Sequence, residues 1–185
     1  MEGIVARRVI PSDNSCLFNA VGYVMDHDKN KAPELRQKHH YVNLLSKKHE
    51  GAIELSILAD YYGHEIAVYD IQTIRCDLYG QEKKYSERVM LIYDGIHYDA
   101  LAMSPFDGAP KKSDQTIFPV RSDRTIGPVE GLALNLVKEQ HRKRSFTDTA
   151  RFILHCGLCQ IGVVGQKEAV EHAQATGHVN FQEYR

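Results

Sequence analysis

The feature that most constrains this chain lies near its end: Cys156-x2-Cys159-x12-His172-x5-His178. Two thiols and two imidazoles at this spacing are the ligand set of a tetrahedral zinc site. The flanking residues agree. Phe152-Ile153-Leu154 and Ile161-Val163-Val164 read as two short strands around the Cys knuckle, and Gln166 to Thr176 as a helix carrying His172. Gly177 then turns the chain so that His178 can complete the site. Sulfur and nitrogen ligands suit zinc better than calcium or magnesium, which prefer oxygen. Fingers that read DNA usually work in tandem, with base-reading and phosphate-binding side chains on the helix. Here the helix pairs Glu168 and Glu171 with Lys167 and the sequence holds no second finger, so structural support or a protein contact is the expected role.

The remainder of the 185 residues is long enough for one catalytic-sized domain. Ser145-Phe146-Thr147 marks the expected boundary, giving a domain over 1–145 and the finger over 146–185. A net charge of -1 argues against bulk nucleic-acid binding, which needs a positive excess to displace phosphate counterions. No apolar run approaches bilayer length, so no membrane partner is expected. The first residues lack a secretory leader, and the chain reads as cytoplasmic. Arg142-Lys143-Arg144 could also serve nuclear import, although a solvated basic helix end is the commoner meaning of such a run. In a reducing compartment the four cysteines are not disulfides. They divide into the metal pair, a candidate nucleophile, Cys16, and a filler, Cys76.

Residues 3–10 read as a strand or extended lead-in, and Pro11 to Ser15 as a turn. Cys16, Leu17, Ala20, Val21 and Val24 recur at helical spacing, so a helix begins around Ser15. The stretch 34–50 is poorly patterned. Ala52 to Tyr62 is apolar in most directions and predicts a central buried helix, ended by Gly63. Strands follow at 66–71 and 89–93, then Asp94-Gly95 as a hairpin turn and a returning strand from His97 to Leu101. A long polar connection over 104–128 contains an apolar island at 117–120, suited to a sheet edge. An amphipathic helix begins at Val129. The order predicts an α+β domain.

A cysteine in the first turn of a helix is chemically distinctive. Unpaired N–H groups and the positive end of the dipole favour the thiolate. Asp13, Asn14 and the backbone N–H of Cys16 can form a nest for a developing oxyanion. A thiol nucleophile needs a base, and the base an orienting acceptor. His97 and Asp99, two apart on a strand, face the same side and supply that pair. Taken on their own, a helical Cys is more often core and a His-x-Asp pair more often structural.

Asp13-Asn14-Ser15-Cys16-Leu17-Phe18 resembles the Cys loop of the ovarian-tumour (OTU) deubiquitinases, and Gly95-Ile96-His97-Tyr98-Asp99 resembles their His loop. Gly51-Ala52-Ile53-Glu54-Leu55 is similar to the family's central helix. The finger, closing in Ala173-x3-Gly177-His178-x-Asn180-Phe181, is similar to one branch of the family that acts in clearance of misfolded endoplasmic-reticulum proteins. The resemblance implies a papain-like α+β cysteine protease followed by a small ββα finger. It implies that Cys16 attacks the carbonyl at the ubiquitin C-terminus, His97 moves the proton, Asp99 orients His97, and Asp13 organises the oxyanion pocket. Asn14 and Ile96 would contact substrate, Ile96 as a wall of the channel for ubiquitin's tail. Ubiquitin, polyubiquitin chains and ubiquitylated proteins are the implied partners, and catalysis needs no cofactor.

Two departures from the family pattern stand out. The helical segment between Gln37 and Gly51 is much shorter than in relatives of this branch, and the chain has no Trp. The ubiquitin-like N-terminal domain, with which some members bind the valosin-containing protein ATPase, is also expected to be absent. Alongside the active enzyme, the sequence leaves two alternatives: a catalytically impaired ubiquitin- or partner-binding module, and a zinc-finger nucleic-acid binder.

Overall fold

The computed structural model describes residues 3–12, 14–38, 51–146 and 153–183. The chain forms two compact units, Met1–Ser145 and Phe146–Arg185. The first contains, in order, β1 (Ile4–Arg8), α1 (Cys16–Asp26), α2 (Ala32–Lys38), α3 (Ala52–Tyr62), β2 (Glu65–Asp70), β3 (Arg75–Tyr79), β4 (Glu87–Tyr93), β5 (Tyr98–Ser104), β6 (Phe118–Pro119) and α4 (Val129–Arg142). One mixed sheet runs β1-β5-β4-β2-β3, with β6 paired to the start of β4. β2 and β4 are parallel, and the other pairs are antiparallel. This is the expected α+β architecture.

Burial explains why the central strands form where they do. Ile66 and Ala67 on β2, and Val89 to Ile92 on β4, are buried at successive positions, so both faces of the sheet are covered. α1 packs on β5 and β4, burying Leu17, Phe18, Ala20, Val21 and Val24. Each large apolar side chain so enclosed contributes about 1.5–3 kcal/mol. α2 and α3 join the same cluster through Leu35, Leu55, Leu58 and Ala59, while α4 contacts β1 and β2.

The structure departs from the sequence expectations in places. α3 is one-sided: Glu54, Leu55, Leu58 and Ala59 are buried, but Ile53 and Tyr61 are exposed. A near-uniform apolar sequence does not reveal which face will pack. α3 starts at Gly51, whose φ of 119° lies in the left-handed region that favours glycine. The Gly51 N–H donates to Glu54 Oε2 at 2.8 Å, and a Cβ at Gly51 would stand 2.6 Å from the Tyr98 hydroxyl. Part of the stretch read as unpatterned is α2, a seven-residue helix anchored by fully buried Leu35. β3 was not expected; it is an edge strand, and its Cys76 is exposed rather than filling the core. The shortened segment's residues 39–50 lie outside those described.

The second unit holds β7 (Ile153–Cys156), β8 (Gly162–Val164), α5 (Gly165–Thr176) and β9 (Phe181–Glu183). Its sheet runs β8-β7-β9, adding a third strand to the expected ββα. Glu168 Oε2 accepts a 2.6 Å hydrogen bond from the Val164 N–H at the start of α5. The acidic character of this helix thus has a local cause, a carboxylate capping the helix N-terminus.

Two polar clusters fasten the first unit. At one end Arg88 bonds Glu65 and Glu130 at 2.9 and 2.6 Å, joining β2, β4 and α4. Near β1, Asp114 receives Arg8 at 2.6 Å and the Tyr23 hydroxyl at 2.6 Å. Burial pushes the Asp114 carboxyl up, but the bonds from Arg8 and Tyr23 outweigh it and hold it below its ordinary 3.8. A carboxyl lowered on folding stabilises the native state above its unfolded value, and that contribution is lost as pH falls through the folded value. Asp114→Asn should therefore lower the melting temperature at pH 7, by about 3 kcal/mol of lost stability. The difference from the parent should shrink in melts recorded below about pH 4.

Candidate active site and metal centre

Cys16 is the first residue of α1 and is partly buried. The first backbone bond into the helix runs from the Asn19 N–H to the Ser15 carbonyl at 2.9 Å. The N–H groups ahead of Asn19, including that of Cys16, therefore precede the helical ladder and present the positive end of its dipole to the thiol. The loop leading in is held from outside. The Arg36 guanidinium on α2 donates to the Asn14 carbonyl and lies 5.4 Å from the centre of the Phe18 ring. Asn14 is exposed, and Asp13 lies outside the described residues.

His97 sits in the turn immediately before β5 rather than on the strand itself. The turn is built around Asp94. Its Oδ1 accepts the Ile96 and His97 N–H groups at 3.1 and 2.8 Å, while the Asp94 N–H donates to the His97 carbonyl at 3.1 Å. Gly95, at φ 106°, allows the reversal. Ile96 is left exposed at the tip. The expected tight hairpin is thus a four-residue loop, with Tyr93 paired to Tyr98 at its base and their rings stacked at 4.5 Å.

The His97 ring reaches Asp99 as the spacing requires: Nε2 lies 2.8 Å from Oδ1. An ionised carboxylate only accepts, so Nε2 carries the proton and Nδ1 is the basic nitrogen. Asp99 is enclosed and heavily bonded. Oδ1 also accepts the Ile10 N–H at 2.8 Å, and Oδ2 accepts Arg7 Nε at 2.7 Å. Ile10 begins the segment that leads to Cys16, so one carboxylate links the Cys loop to the His loop. Beside the pair, Tyr98 is pushed well above the usual phenol range, first by burial and then by Tyr93, Tyr79, Cys16 and Glu54. Cys16 and Tyr98 pack against the same buried cluster, and α1 packs on β5.

The sequence did not reveal Arg7, Asp94, Arg36 or the Ile10 N–H as parts of this site. Asp94 had a usable signal, being the first residue of a turn with a side-chain acceptor. Arg7 and Arg36 had none, because their partners are remote in the chain.

In the second unit, Cys156, Cys159, His172 and His178 bring one ligand atom each to within 4.8 Å of one another. Cys156 Sγ lies 3.5 Å from His178 Nδ1, and Cys159 Sγ 3.4 Å from His172 Nε2. Bond lengths of about 2.3 Å to sulfur and 2.0 Å to nitrogen in a tetrahedron require sulfur–nitrogen edges of about 3.5 Å. The donor set and its spacing fit zinc. Burial pushes the Cys156 thiol up, but the N–H groups of Cys159 and Leu158, with the Cys159 and His172 side chains, bring it down to about 6. A thiol so biased is prepared to bind metal as thiolate. The His172 ring is fixed edge-on against Phe181 of β9 at 5.8 Å.

Comparison with known proteins agrees with both units. Residues 150–184 match the family model described as the C-terminal C2H2-type zinc finger of ubiquitin thioesterase OTU1. The chain is 69% identical over 208 residues to OVARIAN TUMOR DOMAIN-containing deubiquitinating enzyme 2 of Arabidopsis thaliana, covering 100% of both chains. It is 44% identical over 207 residues to ubiquitin thioesterase OTU1 of Danio rerio, covering 97% of this chain and 66% of that one. With the Homo sapiens protein of the same name it shares 40% identity over 206 residues, covering 97% of this chain and 58% of that one. The chain thus spans two thirds or less of these vertebrate relatives. The plant alignment runs over 208 positions against 185 residues, so that relative carries residues this chain lacks. Among solved structures, an ovarian-tumour domain in complex with ubiquitin matches at a TM-score of 0.64 with 23% identity, covering 79% of this chain and 92% of that one. That likeness concerns the fold. With a relative this similar aligned along its whole length, the chain belongs to the ovarian-tumour family of deubiquitinating enzymes, in the ubiquitin thioesterase branch that carries a C-terminal C2H2 zinc finger.

Proposed function

We propose that this chain hydrolyses isopeptide and thioester bonds at the ubiquitin C-terminus with Cys16 as nucleophile, His97 as base and Asp99 as the group that orients it. The observation that carries the reading is the Asp99 carboxylate, bonded at once to His97 Nε2 and to the Ile10 N–H of the segment leading to Cys16. With Nε2 committed, Nδ1 takes the thiol proton as sulfur attacks the carbonyl carbon. The same nitrogen returns the proton to the departing amine or thiol, leaving a thioester on Cys16. Water, deprotonated at Nδ1, then attacks that thioester and releases the ubiquitin carboxylate and the free thiol. The oxyanion formed in each attack would be met by N–H groups at the α1 N-terminus. Asp13 organises this pocket in the reading taken from the family motif, with Asn14 beside it. Ile96, apolar and exposed at the tip of the His loop, suits a wall of the channel for an extended ubiquitin tail. The chemistry needs no cofactor.

The same proposal places the chain in ubiquitin-dependent degradation, acting on polyubiquitin chains and ubiquitylated proteins. Its support for a role in clearance of endoplasmic-reticulum proteins, and for a cytoplasmic and nuclear location, is the sequence of the finger and of the basic run at 142–144. Among the described residues, no helix is long and apolar enough to cross a membrane. Zinc in the finger is read as structural, because Cys156, Cys159, His172 and His178 would fill all four positions of a tetrahedron and leave none open for a substrate.

Two outcomes test this. Ubiquitin carrying a thiol-reactive C-terminal warhead should add once to the parent and not to Cys16→Ala, read by intact mass. No adduct on folded, zinc-loaded parent would leave a binding module instead. Cobalt(II) exchanged into the finger should give the visible d–d absorption of a tetrahedral two-thiolate site, and Cys156→Ser should weaken and shift it. Chelation should abolish the band and the finger's helical signal while Cys16 stays reactive.

A further inference from the structure

Arg7 occupies an unusual place. It lies on β1, an edge strand whose register sets it opposite Leu101 of β5. Its guanidinium spans both acids that flank His97. Nε donates to Asp99 Oδ2 at 2.7 Å, and Nη2 lies 3.8 Å from Asp94 Oδ2. The two carboxylates do different jobs: Asp99 holds the His97 ring, and Asp94 holds the His97 backbone. A third nitrogen, Nη1, lies 3.5 Å from Gln140 Oε1 on α4 and limits rotation of the fork.

We propose that Arg7 is a positioning residue for the reaction, aligning the His97 imidazole by clamping Asp99 and Asp94 together. The proposal rests on the reading of Cys16 and His97 as the reacting pair. Its physical basis is geometric. Asp99 Oδ1 serves two donors, His97 and Ile10, on different segments of chain, and the carboxylate can satisfy both only at one rotation about its Cβ–Cγ bond. Arg7 fixes that rotation by holding Oδ2. Without it a buried acceptor loses its charged partner, and the carboxylate turns or shifts to recover one. That movement carries the His97 ring with it. The Asp94 turn loses its outer contact at the same time, so ring and backbone are loosened together. Arginine suits the position because a planar fork can address two carboxylates in fixed directions; a lysine ammonium is a point charge.

The test compares Arg7→Met, which keeps length and removes charge, with Arg7→Lys, which keeps charge and removes the fork. Two readouts are needed. The first is the rate at which iodoacetamide alkylates Cys16, followed by mass at the peptide that carries it; this depends on the Cys–His pair and not on ubiquitin. The second is steady-state hydrolysis of a fluorogenic ubiquitin substrate. Arg7→Met should slow Cys16 alkylation and lower kcat by about ten- to hundredfold, the cost of a slightly misplaced catalytic group. KM should change much less than kcat, because Arg7 bonds Asp99, Asp94 and Gln140 and reaches Ile96 only through the Asp94 turn. Arg7→Lys should recover part of both rates. Parent-like rates in Arg7→Met would overturn the assignment. So would equal losses in the two variants that merely follow a fall in melting temperature, the mark of a structural role. If Arg7→Met unfolds, Arg7→Lys alone decides, with kcat lowered and KM kept on the supporting side and an unchanged kcat on the other. If the parent fails to hydrolyse the ubiquitin substrate while Arg7→Met still slows alkylation, the function is wrong and the positioning role stands.

Discussion

The Asp99 carboxylate is the contact on which the site depends. Three segments meet on it: Arg7 from β1, the Ile10 N–H from the segment before Cys16, and the His97 ring. The neighbouring scaffold explains how this is possible. β1 pairs with β5 in antiparallel register from Ile4↔Ser104 to Arg8↔Ala100, which delivers the chain beyond Arg8 to the level of Asp99. The same strand pairing that closes one edge of the sheet therefore sets the Cys loop against the His loop. A register slip of one residue would turn Arg7 to the opposite face and separate the two halves of the site.

Stability and chemistry use neighbouring residues of β1 in different ways. Arg8 faces away from Asp99 into Asp114 and Tyr23, a buried cluster that fixes α1 to the connection after β5. Arg7, its neighbour on the other face, serves the site. Alternation along one short strand thus divides a structural cation from one that bonds the partner of His97. α1 is held at its N-terminal end by Arg36 through the Asn14 carbonyl and at its C-terminal end by a left-handed His27. Its position, and that of the thiol at its first residue, is fixed from both ends.

The parts of the candidate site that the sequence singled out are local patterns, and the structure brings His97 to Asp99 and the four finger residues together. Cys16 after a polar turn, His97 two residues before Asp99, and the four finger ligands are all patterns over short spans. What escaped was non-local or weakly patterned. Arg7 lies 92 residues from Asp99, and Ile10 takes part through a backbone N–H that any residue but proline would supply. β3 and β9 are edge strands in which Arg75 and Asp77, and Gln182 and Glu183, interrupt the apolar density that marks a strand. The apolar run of α3 announced a helix but not its buried face, since Ile53 and Tyr61 looked as suited to a core as Leu55 and Leu58. The finger's acidic helix looked like an argument about partners, and part of it is a cap: Glu168 bonds the Val164 N–H.

The most direct test of the account is hydrolysis by Asp99→Asn. Asparagine keeps size, but its single oxygen cannot serve both Arg7 and the position shared by Ile10 and His97; with that oxygen held by Arg7, the amide turns an N–H toward His97 Nε2. The proton then moves to Nδ1, and the ring can no longer take one from the thiol. The account predicts a fall in kcat of about 10²–10⁴ with ubiquitin affinity retained in a binding assay. Parent-like turnover by a folded Asp99→Asn chain would contradict it, and would show that the carboxylate holds the fold without directing the chemistry.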